Sequence, residues 1–127
     1  HTVLNLGTDE LVPLIEQGVL EGEELESVLK KVLAAFQKEH IDTLALGCTH
    51  FPFIKNEIQK ILGSKVQLLD SGAAIARHVH RVLEKEHALS TEQTPNRSFY
   101  TTAEAARIDR IAKKLLGVTI ASTTVTL

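Results

Sequence analysis

Residues 41–52 read Ile-Asp-Thr-Leu-Ala-Leu-Gly-Cys-Thr-His-Phe-Pro, and this stretch decides the fold. Thr43 to Leu46 is a short, mostly apolar run, too short for a helix and suited to a buried strand. Gly47 permits a sharp turn. Pro52 then stands where a first helical turn tolerates a residue without an N–H. Beyond it Ile54, Ile58, Ile61 and Leu62 repeat at helical spacing, and Gly63 ends the helix. Residues 66–70, VQLLD, form a second strand. Strand, helix and strand in this order imply a βαβ unit with parallel strands, because a crossover helix lays the second strand beside the first in the same direction.

The same alternation continues outward. Upstream, residues 10–18 make a short helix limited by Pro13. Residues 23–39 make a long one, with Leu25, Val28, Leu29, Val32, Ala35 and Phe36 on one face. Downstream, Ser71 is placed to cap a helix whose apolar face is Ile75, Val79, Val82 and Leu83. Residues 88–97 are polar, include Pro95 and read as a linker. SFYTT (98–102) is a third strand, and Thr101 and Glu104 have capping-box spacing. Ile108, Ile111, Ala112, Leu115 and Leu116 line a last helix ending at Gly117, and residues 118–127 form a terminal strand. The fold class is α/β.

Composition narrows the function. With 127 residues and 43% apolar content the chain can bury a core. A net charge of −2 argues against a nucleic-acid surface, which needs clustered Lys and Arg. No apolar run reaches membrane-spanning length, and no signal peptide is visible. The first residue is His1 rather than Met, so upstream sequence is expected. The single cysteine, Cys48, excludes an internal disulfide and suits a reducing cytoplasm.

Cys48 stands at the carboxyl end of the first strand, where sites form in parallel sheets. A helix N-terminus a few residues on favours a thiolate. His50 is two residues away and can hydrogen-bond a thiol or a carboxylate. These features leave a nucleophile, a metal ligand and a proton carrier open. A metal would need more ligands at short spacing, and a redox role normally wants a second cysteine. By type alone, a solitary cysteine after a strand is most often an inert small hydrophobe. The remaining histidines have structural readings. His78 and His80, two apart, do not share a helix face, and His40 and His87 sit near helix C-termini. Arg107, Arg110, Lys113 and Lys114 make the last helix locally basic, a weak partner signal.

The string GCTHFP, preceded by DTLAL and followed by LLDSGAAIA (68–76), resembles the second catalytic segment of glutamate racemases. LVPLIEQG (11–18) is similar to the family's VPLVE-type segment, and SFYTT with its helix to the family's closing segment. Three matches in register cover nearly the whole chain. The family also has a Cys-Pro pair before the VPL segment; here Thr8 and Asp9 stand in that region, which bears on local packing rather than on chemistry.

The resemblance implies a partial copy, the C-terminal half, of a two-domain fold. Residues 1–70 would belong to the second domain, and residues 71–127 would return to complete the first. It implies interconversion of L- and D-glutamate for peptidoglycan synthesis by two opposed cysteines, without cofactor or metal. Cys48, His50 and Glu16 take the catalytic positions, and Thr49 and His50 the substrate-binding ones. The partners implied are glutamate and the missing N-terminal half, with a homodimer formed through exposed strand edges as a further expectation. Asp70-Ser71-Gly72 looks like the family's N-terminal active-site motif, but its position gives a helix cap and close packing instead. The alternatives are a racemase of another acidic amino acid and a non-catalytic racemase-like binding or regulatory domain.

Overall fold

The computed structural model describes residues 2–91, 94 and 96–127. Five helices and four strands are described: α1 (Leu11–Glu16), α2 (Glu23–Lys38), β1 (Thr43–Ala45), α3 (Lys55–Leu62), β2 (Gln67–Leu69), α4 (Gly72–Lys85), β3 (Phe99–Thr101), α5 (Ala105–Leu116) and β4 (Ser122–Thr124). A 3-10 turn, Phe51–Ile54, precedes α3. Helices and strands follow the expected order throughout. The linker expected at 88–97 has neither helix nor strand in its described residues; Pro95, its strongest sign, lies outside them.

The strands form two separate parallel pairs. β1 pairs with β2, with Leu44 opposite Leu68. β3 pairs with β4, with Tyr100 opposite Thr123. Each pair is one βαβ unit, with α3 crossing over in the first and α5 in the second. α4 is the connection from the first unit to the second.

The core belongs to the first unit. Leu11 and Ile15 of α1, Leu25, Leu29, Leu33 and Phe36 of α2, then Leu46, Ile54, Ile58, Val66 and Leu68, form one buried cluster. α2 carries four of these residues at helical spacing, with Glu23, Glu24 and Glu26 in its first turn, where they meet the positive end of the helix dipole. α2 packs on α3, and α1 packs on α2 and on the 3-10 turn.

Several sequence expectations are corrected here. β1 is not a fully buried strand: Leu44 faces the core, while Thr43 and Ala45 are exposed, so only one face of the sheet is covered. The apolar face of α4 is not buried either, since Ile75, Val79, Val82 and Leu83 are all exposed. Their spacing encodes a face that the described residues do not cover.

Ser71 does not cap α4 through its side chain; its backbone is already helical. Asp70 does the local work, its Oδ1 accepting the Gly72 N–H at 3.3 Å while Oδ2 takes Lys55 Nζ at 2.8 Å. A Cβ on Gly72 would meet only that Oδ1, at an ordinary 3.6 Å, so close packing does not require the glycine. Thr101 is not the cap of α5. It ends β3, its Oγ1 accepts the Ala103 N–H at 3.0 Å, and Glu104 is the N-cap residue. The terminal strand shrinks to Ser122–Thr124, because pairing extends only as far as the three residues of β3.

His40 and His87 follow the last turns of α2 and α4 and adopt left-handed φ of 51° and 53°. The His87 N–H bonds Glu84 O at 3.1 Å and the Ala88 N–H bonds Leu83 O at 2.8 Å, which closes the helix end in a Schellman arrangement.

Candidate active site at the carboxyl end of the first strand

The ladder of the first sheet runs one bond past β1, from Leu46 N to Leu69 O at 2.8 Å, and the chain then leaves the sheet at Gly47. The departure needs no glycine: φ of Gly47 is not positive, and a Cβ there would meet nothing within 4 Å. Residues 48–50 roll directly into the 3-10 turn. Phe51 N–H bonds Cys48 O at 3.3 Å, and Phe53 N–H bonds His50 O at 3.1 Å. Ile54 is 1% exposed, and Phe51 and Phe53 pack against the same core, so the turn is pinned from below. The α-helix proper starts only at Lys55, so the N–H groups nearest Cys48 belong to this tighter turn.

On this base Cys48 is half-buried, and its Sγ lies 3.8 Å from His50 Nδ1. The other ring nitrogen, Nε2, lies 3.5 Å from Glu16 Oε1. Glu16 is the last residue of α1, which is held by buried Leu11 and Ile15 and packs against the 3-10 turn. Thr49 is exposed, and its Oγ1 lies 3.4 Å from the same Nδ1 that faces the thiol. The four residues singled out from the sequence are therefore brought together: thiol, imidazole and carboxylate in line, with a hydroxyl beside the imidazole.

Sequence reading missed Arg107. Its Nη2 lies 2.7 Å from Glu16 Oε2 and extends the line to thiol, imidazole, carboxylate, guanidinium. Ninety-one residues separate the two, and the only available signal was the basic character of α5. That basicity is in part internally used, since Lys114 Nζ also donates to the Gln17 carbonyl. An open groove of about 400 Å³ runs between α1 and α5, lined by Val12, Pro13, Glu16, Arg107, Ile111 and Lys114 among others. Cys48 does not line it. Among the described residues no three His, Cys, Asp or Glu side chains are grouped to hold a metal ion, and no helix is long and apolar enough to cross a membrane.

Chemically the line can hold a proton at sulfur. With a proton on Nε2 facing the carboxylate, Nδ1 presents a lone pair to the thiol; a positive imidazolium instead favours the thiolate.

No protein-family model matches the chain. Over 116 residues it is 38% identical to the glutamate racemase of Cupriavidus pinatubonensis, covering 91% of this chain and 43% of that protein. Among solved structures it resembles glutamate racemase isoform RacE1 from Bacillus anthracis, with a TM-score of 0.84 and 31% identity over 92% of this chain and 44% of that one. The glutamate racemase of Francisella tularensis subsp. tularensis, solved in complex with D-glutamate, matches with a TM-score of 0.80 and 30% identity over 91% of this chain and 43% of that one.

Fold and likeness are those of one part of the α/β amino-acid racemases. The chain belongs to the glutamate racemase family and corresponds to its C-terminal half. It spans less than half the length of the relatives it matches.

Proposed function

We propose that this chain supplies one of two opposed thiol bases to a glutamate racemase. The observation that carries the reading is the line from Cys48 Sγ through His50 to Glu16, at the carboxyl end of a parallel strand. A relative solved with D-glutamate supports glutamate as the substrate.

In the proposed step the Cys48 thiolate takes the α-proton of L-glutamate, and the electron pair stays on Cα. A second thiol, from the half of the enzyme that precedes this chain, gives its proton to the opposite face, leaving D-glutamate and a thiolate on the far side. The α-proton is far less acidic than a thiol, so the step needs water excluded and the developing charge stabilised. His50 passes protons to and from the sulfur, Glu16 orients the ring, and Thr49 binds substrate. No metal or pyridoxal phosphate takes part.

Cys48 is half-buried and lies outside the open groove, and in this reading the preceding half closes the cleft over it. Residues 1–70 are the part of the second domain that bears the thiol. Residues 71–127 complete the first domain, and the exposed face of α4 is where that domain's remaining elements pack. The two separate strand pairs support this division. This chain alone is inactive. The enzyme works in the cytoplasm, supplies D-glutamate for peptidoglycan, and can pair with a second copy.

The test is deuterium uptake at Cα of L-glutamate in D2O by the full-length protein, followed by NMR. Cys48→Ser is expected to cut racemisation about a thousandfold, the scale of a lost acid–base group. Intact racemisation in Cys48→Ser removes the assigned role. Uptake with L-aspartate and not L-glutamate makes the protein a racemase of another acidic amino acid. Uptake with neither makes it a non-catalytic relative.

A further inference from the structure

We infer that Arg107 of α5 is a positioning residue, which holds Glu16 so that His50 keeps its proton on Nε2 and turns a bare Nδ1 toward Cys48. The inference rests on the proton-transfer reading above, and its test includes a readout that does not depend on it.

Glu16 needs a holder. It is the last residue of a helix only six residues long, and the chain turns away at Gly18 with φ of +75°. An unrestrained glutamate there samples many rotamers, and fixing one costs side-chain entropy. The carboxylate instead has both oxygens engaged: Oε2 with Arg107 Nη2 at 2.7 Å, and Oε1 with His50 Nε2 at 3.5 Å. The first contact is a short charge-assisted hydrogen bond, and the second is longer than one. The guanidinium is therefore the stronger of the two holds on the carboxylate and sets where its free oxygen points.

The approach of α5 is itself fixed. Arg107, Ile111 and Lys114 stand at i, i+4 and i+7 and so share one face of α5. All three line the groove against α1, and Lys114 donates to the carbonyl of Gln17, the residue after Glu16. The two polar ties, at Arg107 and Lys114, join α5 to the end of α1.

The consequence for His50 follows from the geometry. A carboxylate facing Nε2 favours the proton on that nitrogen, and Nδ1 then becomes the acceptor. Cys48 Sγ is 3.8 Å from Nδ1. Release of Glu16 lets the proton move to Nδ1, which no longer accepts from the thiol. A residue of the 71–127 segment thus sets the protonation site of a residue in the 1–70 segment.

The plain alternative is an exposed surface ion pair with no effect beyond a small stability term. Two measurements on the full-length protein, labelled with 15N-histidine, separate the two. First, Arg107→Gln lowers kcat about tenfold with KM within about twofold, the scale of a misplaced catalytic group, and Arg107→Lys recovers to within about threefold because a Lys ammonium still holds the carboxylate as a point charge. In a Glu16→Gln background Arg107→Gln has no further effect, because the residue acts only through Glu16. Second, the ring nitrogen shifts of neutral His50 show the Nε2–H form predominating in the native protein and a mixture of the two forms in Arg107→Gln.

The inference is overturned if Arg107→Gln leaves kcat and the ring shifts unchanged. It is also overturned if its effect persists in full in Glu16→Gln. If the native full-length protein shows no racemisation, the proposed function fails, and the ring shifts alone decide the role of Arg107.

Discussion

The two βαβ units differ in what they bury. In the first, α1, α2, the 3-10 turn, α3, β2 and the residues flanking the strands share eleven buried apolar residues, four of them on α2 alone. In the second, counted with the connecting helix α4 that leads into it, α4 and α5 have stronger amphipathic patterns than their burial matches: neither helix has a buried residue, and Tyr100 and Leu116 are exposed at 68% and 62%. Periodicity thus records which face a helix is made to bury. Whether that face is buried depends on elements elsewhere in the fold. The first unit supplies its own cover, and the second is seated on it mainly through α5 on α1.

The sharpest way to break this contrast is to cut the same kind of side chain in each unit. Leu29→Ala removes a side chain that is fully buried in the first core, and it should cost about 2–5 kcal/mol in denaturant unfolding. Val79→Ala, on the open face of α4, should change the stability of this chain by no more than about 0.5 kcal/mol. Comparable losses at the two positions would mean that α4 is covered in solution. In the full-length protein the Val79 effect should grow toward that of Leu29, if the preceding half packs on α4.

A smaller effect lies at the joint between the units. Lys55 holds the Asp70 carboxyl below its ordinary value of 3.8, first by a hydrogen bond and then by its charge, and the Gly72 N–H adds to this. A carboxylate with a lowered folded pKa stabilises the fold fully above its unfolded pKa, and that stabilisation is lost as pH falls through the folded value. Lys55→Gln should therefore be less stable than the native chain near neutrality. The gap should close on acidification below 3.8, as read from urea midpoints at a series of pH values. A gap independent of pH would show that Lys55 acts through packing.

The smallest effect is a control on local chemistry. His40 and His87 close helices in different units with the same left-handed backbone. His→Gly at either position should stabilise by about half a kcal/mol, as glycine carries no Cβ penalty there. Equal gains in thermal melts would show that helix ends behave alike in both units and that the contrast is one of tertiary cover. Unequal gains would place part of it in the helix ends themselves.

The sequence was legible where the signal was local. Helix spans followed from apolar spacing, and the neighbourhood of Cys48 and His50 followed from their separation of two residues. Glu16 entered through the family resemblance, since nothing in its local pattern ties it to a thiol thirty-two residues on. Arg107 was illegible for the same reason and had no motif to carry it. The capping-box reading of Thr101 failed because that spacing is equally satisfied by a threonine that ends a strand and bonds two residues ahead. Gly47 was over-read, as its backbone lies where any residue fits.

The sulfur and the imidazole sit on one turn of backbone, so the distance between them is set by a tether two residues long. Glu16 arrives on a separate helix, and Arg107 on the helix that crosses over in the second strand pair. A hinge motion between residues 1–70 and 71–127 would leave thiol, imidazole and Glu16 together and alter only the Arg107 contact. Such a motion would act as a dimmer on the hold over the carboxylate, while the sulfur–imidazole spacing stays as it is.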